Sequence, residues 1–226
     1  GGVTKTNSHP HWNCNQTIFT VHNGIIDNYQ ELKNELIEKG HVFVTQTDSE
    51  IISHFFEEEL KSKKMIEAIK SFIKRAHGTY AILLLEKDNN KIYAIKKDSP
   101  LVLGLSKDRF YLASDIYAFS DVTNKAIFFE DDEFAIIDSS SHIFYDLNGK
   151  EIQKEVYEFA WDVYKEASVQ DYPHYMIKEI HEQPNASQRL INSLDGEQNA
   201  KIKKIAELIK NSKSVVFTAA GSSYYA

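Results

Sequence analysis

The sequence predicts an α+β fold in which two β-sheets are faced by a helical layer, followed by the opening of a second, α/β domain. Three observations carry that expectation. Apolar residues recur at helical spacing between Tyr29 and Ile73, and short apolar runs recur about every 8 to 12 residues between Tyr80 and Tyr145. After Gly149 the composition turns polar and aromatic before two more helical patterns begin. Sheets and helices of this kind bury their apolar faces most economically as stacked layers.

The first element is a strand over 17–22, rich in β-branched and aromatic residues, which stops at Asn23-Gly24. That dipeptide favours positive φ and predicts a tight turn. A helix follows with Tyr29, Leu32, Leu36 and Ile37 on one face, and Gly40 stands where a C′ residue would end it. Residues 41–45 read as a short strand. Thr47-Asp48-Ser49-Glu50 then joins a Thr-x-x-Glu capping box to an apolar stripe of Ile51, Ile52, Phe55, Phe56 and Leu60. A third helix carrying Met65, Ile66, Ile69, Phe72 and Ile73 runs up to Gly78.

Strands are predicted over 80–85, 91–96, 101–105, 109–113, 126–129, 133–138 and 141–145. Turn residues separate them at Asp88-Asn89-Asn90, Asp98-Ser99-Pro100 and Asn148-Gly149, the pattern of an antiparallel sandwich. The stretch through Trp161 and Tyr164 to Tyr172-Pro173 reads as a linker. The expected organisation is therefore a first domain over 1–150, a linker over 151–175 and a second domain beginning in 176–226. In that last part, helices over 176–193 and 197–210 lead to a strand over 214–218 and the turn Gly221-Ser222-Ser223.

Composition excludes several function classes. The 33 acidic and 26 basic side chains give a net charge of -7, and no Lys/Arg-rich face is interleaved with aromatics. Nucleic acid and anionic membrane are poor partners for such a surface. No apolar run approaches the roughly 20 residues that span a bilayer, and residues 1–10 have neither a basic nor an apolar signal region. A single cysteine, Cys14, excludes an internal disulfide and any Cys-based structural zinc site, which fits a reducing, cytoplasmic compartment. The chain has no initiator Met and ends at Tyr224-Tyr225-Ala226, so both ends read as cuts through a longer protein.

Several constellations could carry chemistry. In His22-Asn23-Gly24 a strand delivers an Asn carboxamide and a Gly backbone N–H to one point, as an oxyanion hole requires; a plain Asn-Gly turn is the competing reading. Asp48 at a helix start could bind the α-ammonium of an amino acid or simply cap the helix. Ser222 and Ser223 follow an apolar strand, where helix N-terminal N–H groups would suit a phosphate, although neither a dinucleotide fingerprint nor a P-loop is present. Cys14 lacks a nucleophile signature, with His9, His11 or His22 as conceivable bases. His9-Pro10-His11 has no third ligand placed by spacing, so His9 reads as a structural or substrate-orienting histidine rather than a metal ligand. No metal and no cofactor is expected.

These residues together resemble the glucosamine-6-phosphate synthase family, the glutamine:fructose-6-phosphate amidotransferases. The resemblance covers nearly the whole chain. It runs through Asn7-Ser8-His9-Pro10-His11, Val21 to Asn28, Thr47-Asp48-Ser49-Glu50, Gly78-Thr79-Tyr80-Ala81, Ser99 to Gly104 and Ala113-Ser114-Asp115. The segment His174 to Pro184 is similar to the family's junction between glutaminase and isomerase halves.

The resemblance implies a four-layer αββα N-terminal-nucleophile fold for residues 1–150, the class II glutamine amidotransferase domain, and the start of a sugar-isomerase (SIS) domain after it. It implies that a first-residue Cys attacks the glutamine carboxamide, that Asn23 and Gly24 form the oxyanion hole, and that Asp48 and His9 contribute to glutamine binding. Ser222 and Ser223 would hold the sugar phosphate of fructose 6-phosphate, which ammonia from glutamine converts to glucosamine 6-phosphate. Homodimerisation through the isomerase half is also implied.

The chain departs from the family at its start. Gly1-Gly2 stands just after the place of the family's Arg-Trp-Ala-Thr-His segment, so the catalytic Cys and the Arg and Trp that hold the substrate carboxylate are absent from this chain. Cys14 is mid-chain and has no free α-amine with which to replace that nucleophile, so this polypeptide alone is expected to hydrolyse no glutamine. Two other readings stay open. One is another class II amidotransferase, such as an amidophosphoribosyltransferase or an asparagine synthetase. The other is a non-catalytic glutamine-binding regulatory module.

Overall fold

The computed structural model describes residues 2–159, 169, 171–196, 198–216 and 218, which fall in two compact units, Gly1–Ala167 and Ser168–Ala226. In the first unit the strands are β1 (His11–Trp12), β2 (Ile18–Ile26), β3 (Gly78–Glu86), β4 (Ile92–Lys97), β5 (Val102–Leu105), β6 (Phe110–Ala113), β7 (Lys125–Phe128), β8 (Glu133–Ile137), β9 (His142–Tyr145), β10 (Glu151–Ile152) and β11 (Tyr157–Glu158). They form a seven-stranded sheet in the order β1-β2-β3-β4-β8-β9-β10 and a four-stranded sheet in the order β11-β7-β5-β6. Every strand pairing in both sheets is antiparallel.

The period-2 pattern explains the layering. In β3, Tyr80, Ile82 and Leu84 point to one face and join a core with helices α1 (Tyr29–Glu38), α2 (Glu50–Glu59) and α3 (Met65–Arg75). Phe72 of α3 is fully buried there, its ring 5.3 to 5.5 Å from those of Phe55, Phe56 and Tyr80. The alternate residues, Ala81 and Leu83, face the smaller sheet and pack with Leu101, Leu103, Ile127 and Phe144.

A third cluster of Val102, Phe119, Ala126 and Phe159 covers the outer side of the smaller sheet. Gly104 makes room for it, since a Cβ there would lie 2.7 Å from the Phe119 ring. Among the described residues of this unit, a 3₁₀ turn at Ile116–Ala118 is the helical element on that side. The layers described are thus helix, sheet, sheet, and the second α layer of the expected αββα stack is represented by this turn.

Other expectations are corrected. Asn23-Gly24 is not a turn: β2 continues through it to Ile26, paired residue by residue with β3. The positive φ of Gly24, 135°, serves a close strand approach, because a Cβ would sit 2.0 Å from the Thr79 carbonyl oxygen. Residues 41–45 form no strand. The N–H groups of Val44 and Thr45 are bound by the Glu50 carboxylate, both at 2.8 Å, and are lost to any ladder. Glu50 is thereby withdrawn from a capping box with Thr47. The expected linker at 151–175 begins by adding β10 and β11 to the two sheets. Two-residue strands carry too little alternation to be seen in sequence.

Gly40 does end α1, and in a full Schellman motif. Its N–H donates to Ile37 O at 2.9 Å, and His41 N–H donates to Leu36 O at 3.0 Å. The chain is thereby aimed so that His41 turns inward, 6% exposed.

The second unit contains α4 (Tyr175–Asp195) and α5 (Asn199–Asn211), close to the helices expected. Both expose apolar side chains, among them Ile180, Leu190, Ile205 and Leu208. Residues 214–216 and 218 are not strand. A strand needs a hydrogen-bonded neighbour, and among the described residues this unit offers only helices. Gly221, Ser222, Ser223, Trp161 and Tyr164 lie outside the described residues. Among the described residues no helix is long and apolar enough to cross a membrane.

Candidate functional site

The end of β2 gathers the residues singled out in the sequence. Asn23 is exposed on this strand, and its carboxamide has no protein partner among the described residues. It lines a cleft of about 390 Å³ with His9, His22, Pro100, Leu101 and Ser114, floored by Ala81 and Leu83 of β3. Its walls come from both sheets, with Leu112 and Ala113 of β6 facing β2 and β3 residues across it.

Asp48 does not cap α2, whose N-cap is Ser49 and lacks a side-chain capping bond. Its Oδ2 instead accepts from the backbone N–H of Ile26 at 2.8 Å. Among the described residues Oδ1 stays available. The end of β2 and the start of α2 are thereby tied together, and a partly exposed carboxylate is held at Ile26, two residues after Gly24.

Ser49, adjacent to Asp48, joins the histidines to this point. Its Oγ lies 2.9 Å from His22 Nδ1 and 3.5 Å from His9 Nε2. The rings of His9 and His11 meet edge to face at 5.1 Å, and His11 Nε2 is 3.3 Å from Thr47 Oγ1. Burial pushes the His22 and His11 imidazoles below their ordinary pKa, and the neighbouring His9 pushes both the same way against the pull of Asp48. Neutral imidazoles at pH 7 suit hydrogen bonding to hydroxyls.

The structure therefore brings Asn23, Gly24, Asp48 and His9 to one place. An exposed carboxamide and a glycine backbone can face a developing oxyanion, and a fixed carboxylate can meet an ammonium group. Cys14 does not line the cleft. Ser49, the residue that sequence reasoning missed, lay inside the quoted Thr47-Asp48-Ser49-Glu50 run. Nothing in its spacing from His9 or His22 marks it as their shared partner.

Comparison with known proteins adds independent findings. Residues 3–121 match the model of a glutamine amidotransferase domain. A glutamine–fructose-6-phosphate aminotransferase (isomerizing) of Methanocaldococcus jannaschii is 41% identical over 236 residues, covering 100% of this chain and 21% of the relative. The enzyme of that name from Thermococcus kodakarensis is 40% identical over 229 residues, covering 100% of this chain and 37% of the relative. The chain thus spans well under half the length of these curated relatives. Among solved structures, a glutamine phosphoribosylpyrophosphate amidotransferase from B. subtilis complexed with ADP and GMP superposes with TM-score 0.57 at 22% identity, over 66% of this chain and 34% of that one. A structure described as the allosteric regulatory enzyme of purine biosynthesis gives 0.55 at 22%, over 65% and 32%. At that identity the likeness shows a shared fold.

Proposed function

Because this chain belongs to the glutamine amidotransferase domain family, we propose that it is the glutamine-hydrolysing part of a glutamine:fructose-6-phosphate aminotransferase. In the full-length protein, ammonia released here passes to an isomerase domain, where fructose 6-phosphate becomes glucosamine 6-phosphate and glutamate is left behind. The observation that carries the reading is the joining of Asn23, Gly24 and Asp48 at one end of β2 by the Asp48–Ile26 hydrogen bond.

In this reading Asn23 and Gly24 stabilise the oxyanion formed when the nucleophile attacks the carboxamide of glutamine. Asp48 takes the α-ammonium group, and His9, held through Ser49, shapes the same pocket. The nucleophile is the first-residue Cys of the full-length protein, with its α-amine as base. The position of Cys14 outside the cleft supports that assignment. Helices α4 and α5 open the sugar-isomerase domain, which their exposed apolar residues favour, since more chain is needed to cover them. Ser222 and Ser223 belong to its sugar-phosphate loop. The enzyme is cytoplasmic and dimerises through that domain.

The test is product analysis on the full-length gene product. Glutamine with fructose 6-phosphate is expected to give glucosamine 6-phosphate and glutamate in equal amounts. Turnover with phosphoribosyl pyrophosphate instead would assign another amidotransferase, and no glutamate from any acceptor would leave a binding module.

A further inference from the structure

A second cluster of reactive side chains lies outside the cleft. Cys14, in the turn between β1 and β2, places Sγ 3.6 Å from His54 Nδ1 and 3.9 Å from His41 Nδ1. The two Nδ1 atoms are 3.3 Å apart, and Glu57 Oε2 lies 3.1 Å from His41 Nδ1 and 3.6 Å from His54 Nδ1. These four ligand atoms all lie within 4.8 Å of one another. A tetrahedron with ligands at about 2.0 to 2.3 Å from its centre has edges of about 3.3 to 3.8 Å.

The outer shell favours a cation. His41 Nε2 faces Glu58 Oε2 at 3.0 Å, and the buried His54 Nε2 faces Glu50 Oε1 at 3.6 Å. With a proton on each Nε2, directed at those carboxylates, both Nδ1 lone pairs point inward, and they converge there with a sulfur and a carboxylate oxygen, the donor set that a cation takes. The Cys14 sulfur also accepts from the Val42 N–H at 3.4 Å, as a thiolate ligand would.

We propose that Cys14, His41, His54 and Glu57 bind one divalent transition-metal ion of the Zn²⁺ class. The mixed sulfur, nitrogen and oxygen set suits borderline-soft Zn²⁺ or Co²⁺ and not Mg²⁺ or Ca²⁺, which prefer oxygen alone. Four protein ligands leave no open position, so the role is structural. Binding releases the thiol proton to solvent. The ion staples the β1–β2 turn and the Schellman end of α1 to α2, and so fixes both ends of the segment that carries Asp48 and Ser49. A single cysteine rules out sites built from cysteines alone, but the mixed set escapes that limit. Its members stand 27, 13 and 3 residues apart and match no zinc spacing.

The test uses the 226-residue chain, stripped by a chelator and titrated with Co²⁺. One Co²⁺ per chain is expected, with tetrahedral visible absorption and a near-ultraviolet thiolate charge-transfer band, both removed by Zn²⁺. Cys14→Ser, at an exposed position, should keep the fold by circular dichroism and lose the charge-transfer band. Glu58→Gln should weaken binding roughly 10- to 100-fold while keeping the band. His9→Asn, outside the four ligands, should leave the Co²⁺ stoichiometry and the charge-transfer band as they are. Absence of stoichiometric Co²⁺ binding, a spectrum that survives Cys14→Ser, or equal loss in His9→Asn would each overturn the proposal.

Discussion

Asp48 Oδ2 accepts the backbone N–H of Ile26 at 2.8 Å, so the carboxylate ahead of α2 is locked to the last residue of β2. The bond does two jobs, and two substitutions separate them. Asp48→Ala removes the acceptor and should cost about 1–3 kcal/mol in urea unfolding of this chain. Asp48→Asn keeps an acceptor and should cost less than about 1 kcal/mol. If Asp48 takes the α-ammonium group as proposed, the same Asp48→Asn change in the full-length protein should raise KM for glutamine by about 10- to 100-fold with kcat largely spared.

Gly24 and Gly40 both have positive φ but differ in surroundings. At Gly24 a Cβ would meet the Thr79 carbonyl oxygen at 2.0 Å, whereas at Gly40 nothing lies within 4 Å. Gly24→Ala should therefore cost about 3 kcal/mol or more, or prevent folding, since backbone must move in β2 or β3. Gly40→Ala should cost about 1 kcal/mol, from backbone conformation alone. Thermal melts of the two variants give the comparison directly.

Glu50 supplies a pH dependence. Burial pushes its carboxyl up, but the His54 imidazole, the N–H groups of Val44 and Thr45 and the Thr45 hydroxyl outweigh it and hold the pKa at about 2. The folded value lies below the unfolded one. The stabilisation is therefore complete above about pH 4.5 and is lost as pH falls towards 2, up to about 3 kcal/mol in all. Urea unfolding of the wild type and Glu50→Gln should show a gap that narrows over that window. A gap that stays constant from pH 6 to 3 would contradict the assignment.

Much of the fold is legible in the sequence because its strands are short apolar runs set apart by turn residues and its helices carry apolar stripes. Phe72 could be placed in the core from its helical spacing, whereas Tyr80 and Ile82 lie in an unbroken apolar run that does not reveal which face each one takes. The misreadings share one cause. Asn23-Gly24, Thr47 to Glu50 and residues 41–45 have local signals for a turn, a capping box and a strand, and in each case a partner outside that local signal redirects them. The Thr79 carbonyl leaves no room for a Cβ at position 24, Ile26 claims Asp48, and Glu50 claims the N–H groups of Val44 and Thr45. The metal-ligand cluster was hidden for the same reason, because α2 and the end of α1 bring its members together only in the fold. Asn23, Gly24, Asp48 and His9 are singled out in the sequence, and of these Asn23 and His9 line the cleft, but the bridging role of Ser49 could not be read there.

The most direct test of the glutamine-site assignment is the rate of glutamate release by the full-length gene product with and without Asn23→Ala. The substitution removes a carboxamide that is exposed in the cleft, so the fold should be untouched. The expected result is a fall in kcat of about 10²- to 10³-fold with KM for glutamine nearly unchanged. An unchanged kcat would mean that Asn23 does not face the developing oxyanion, and that the end of β2 is not the place where glutamine is cleaved.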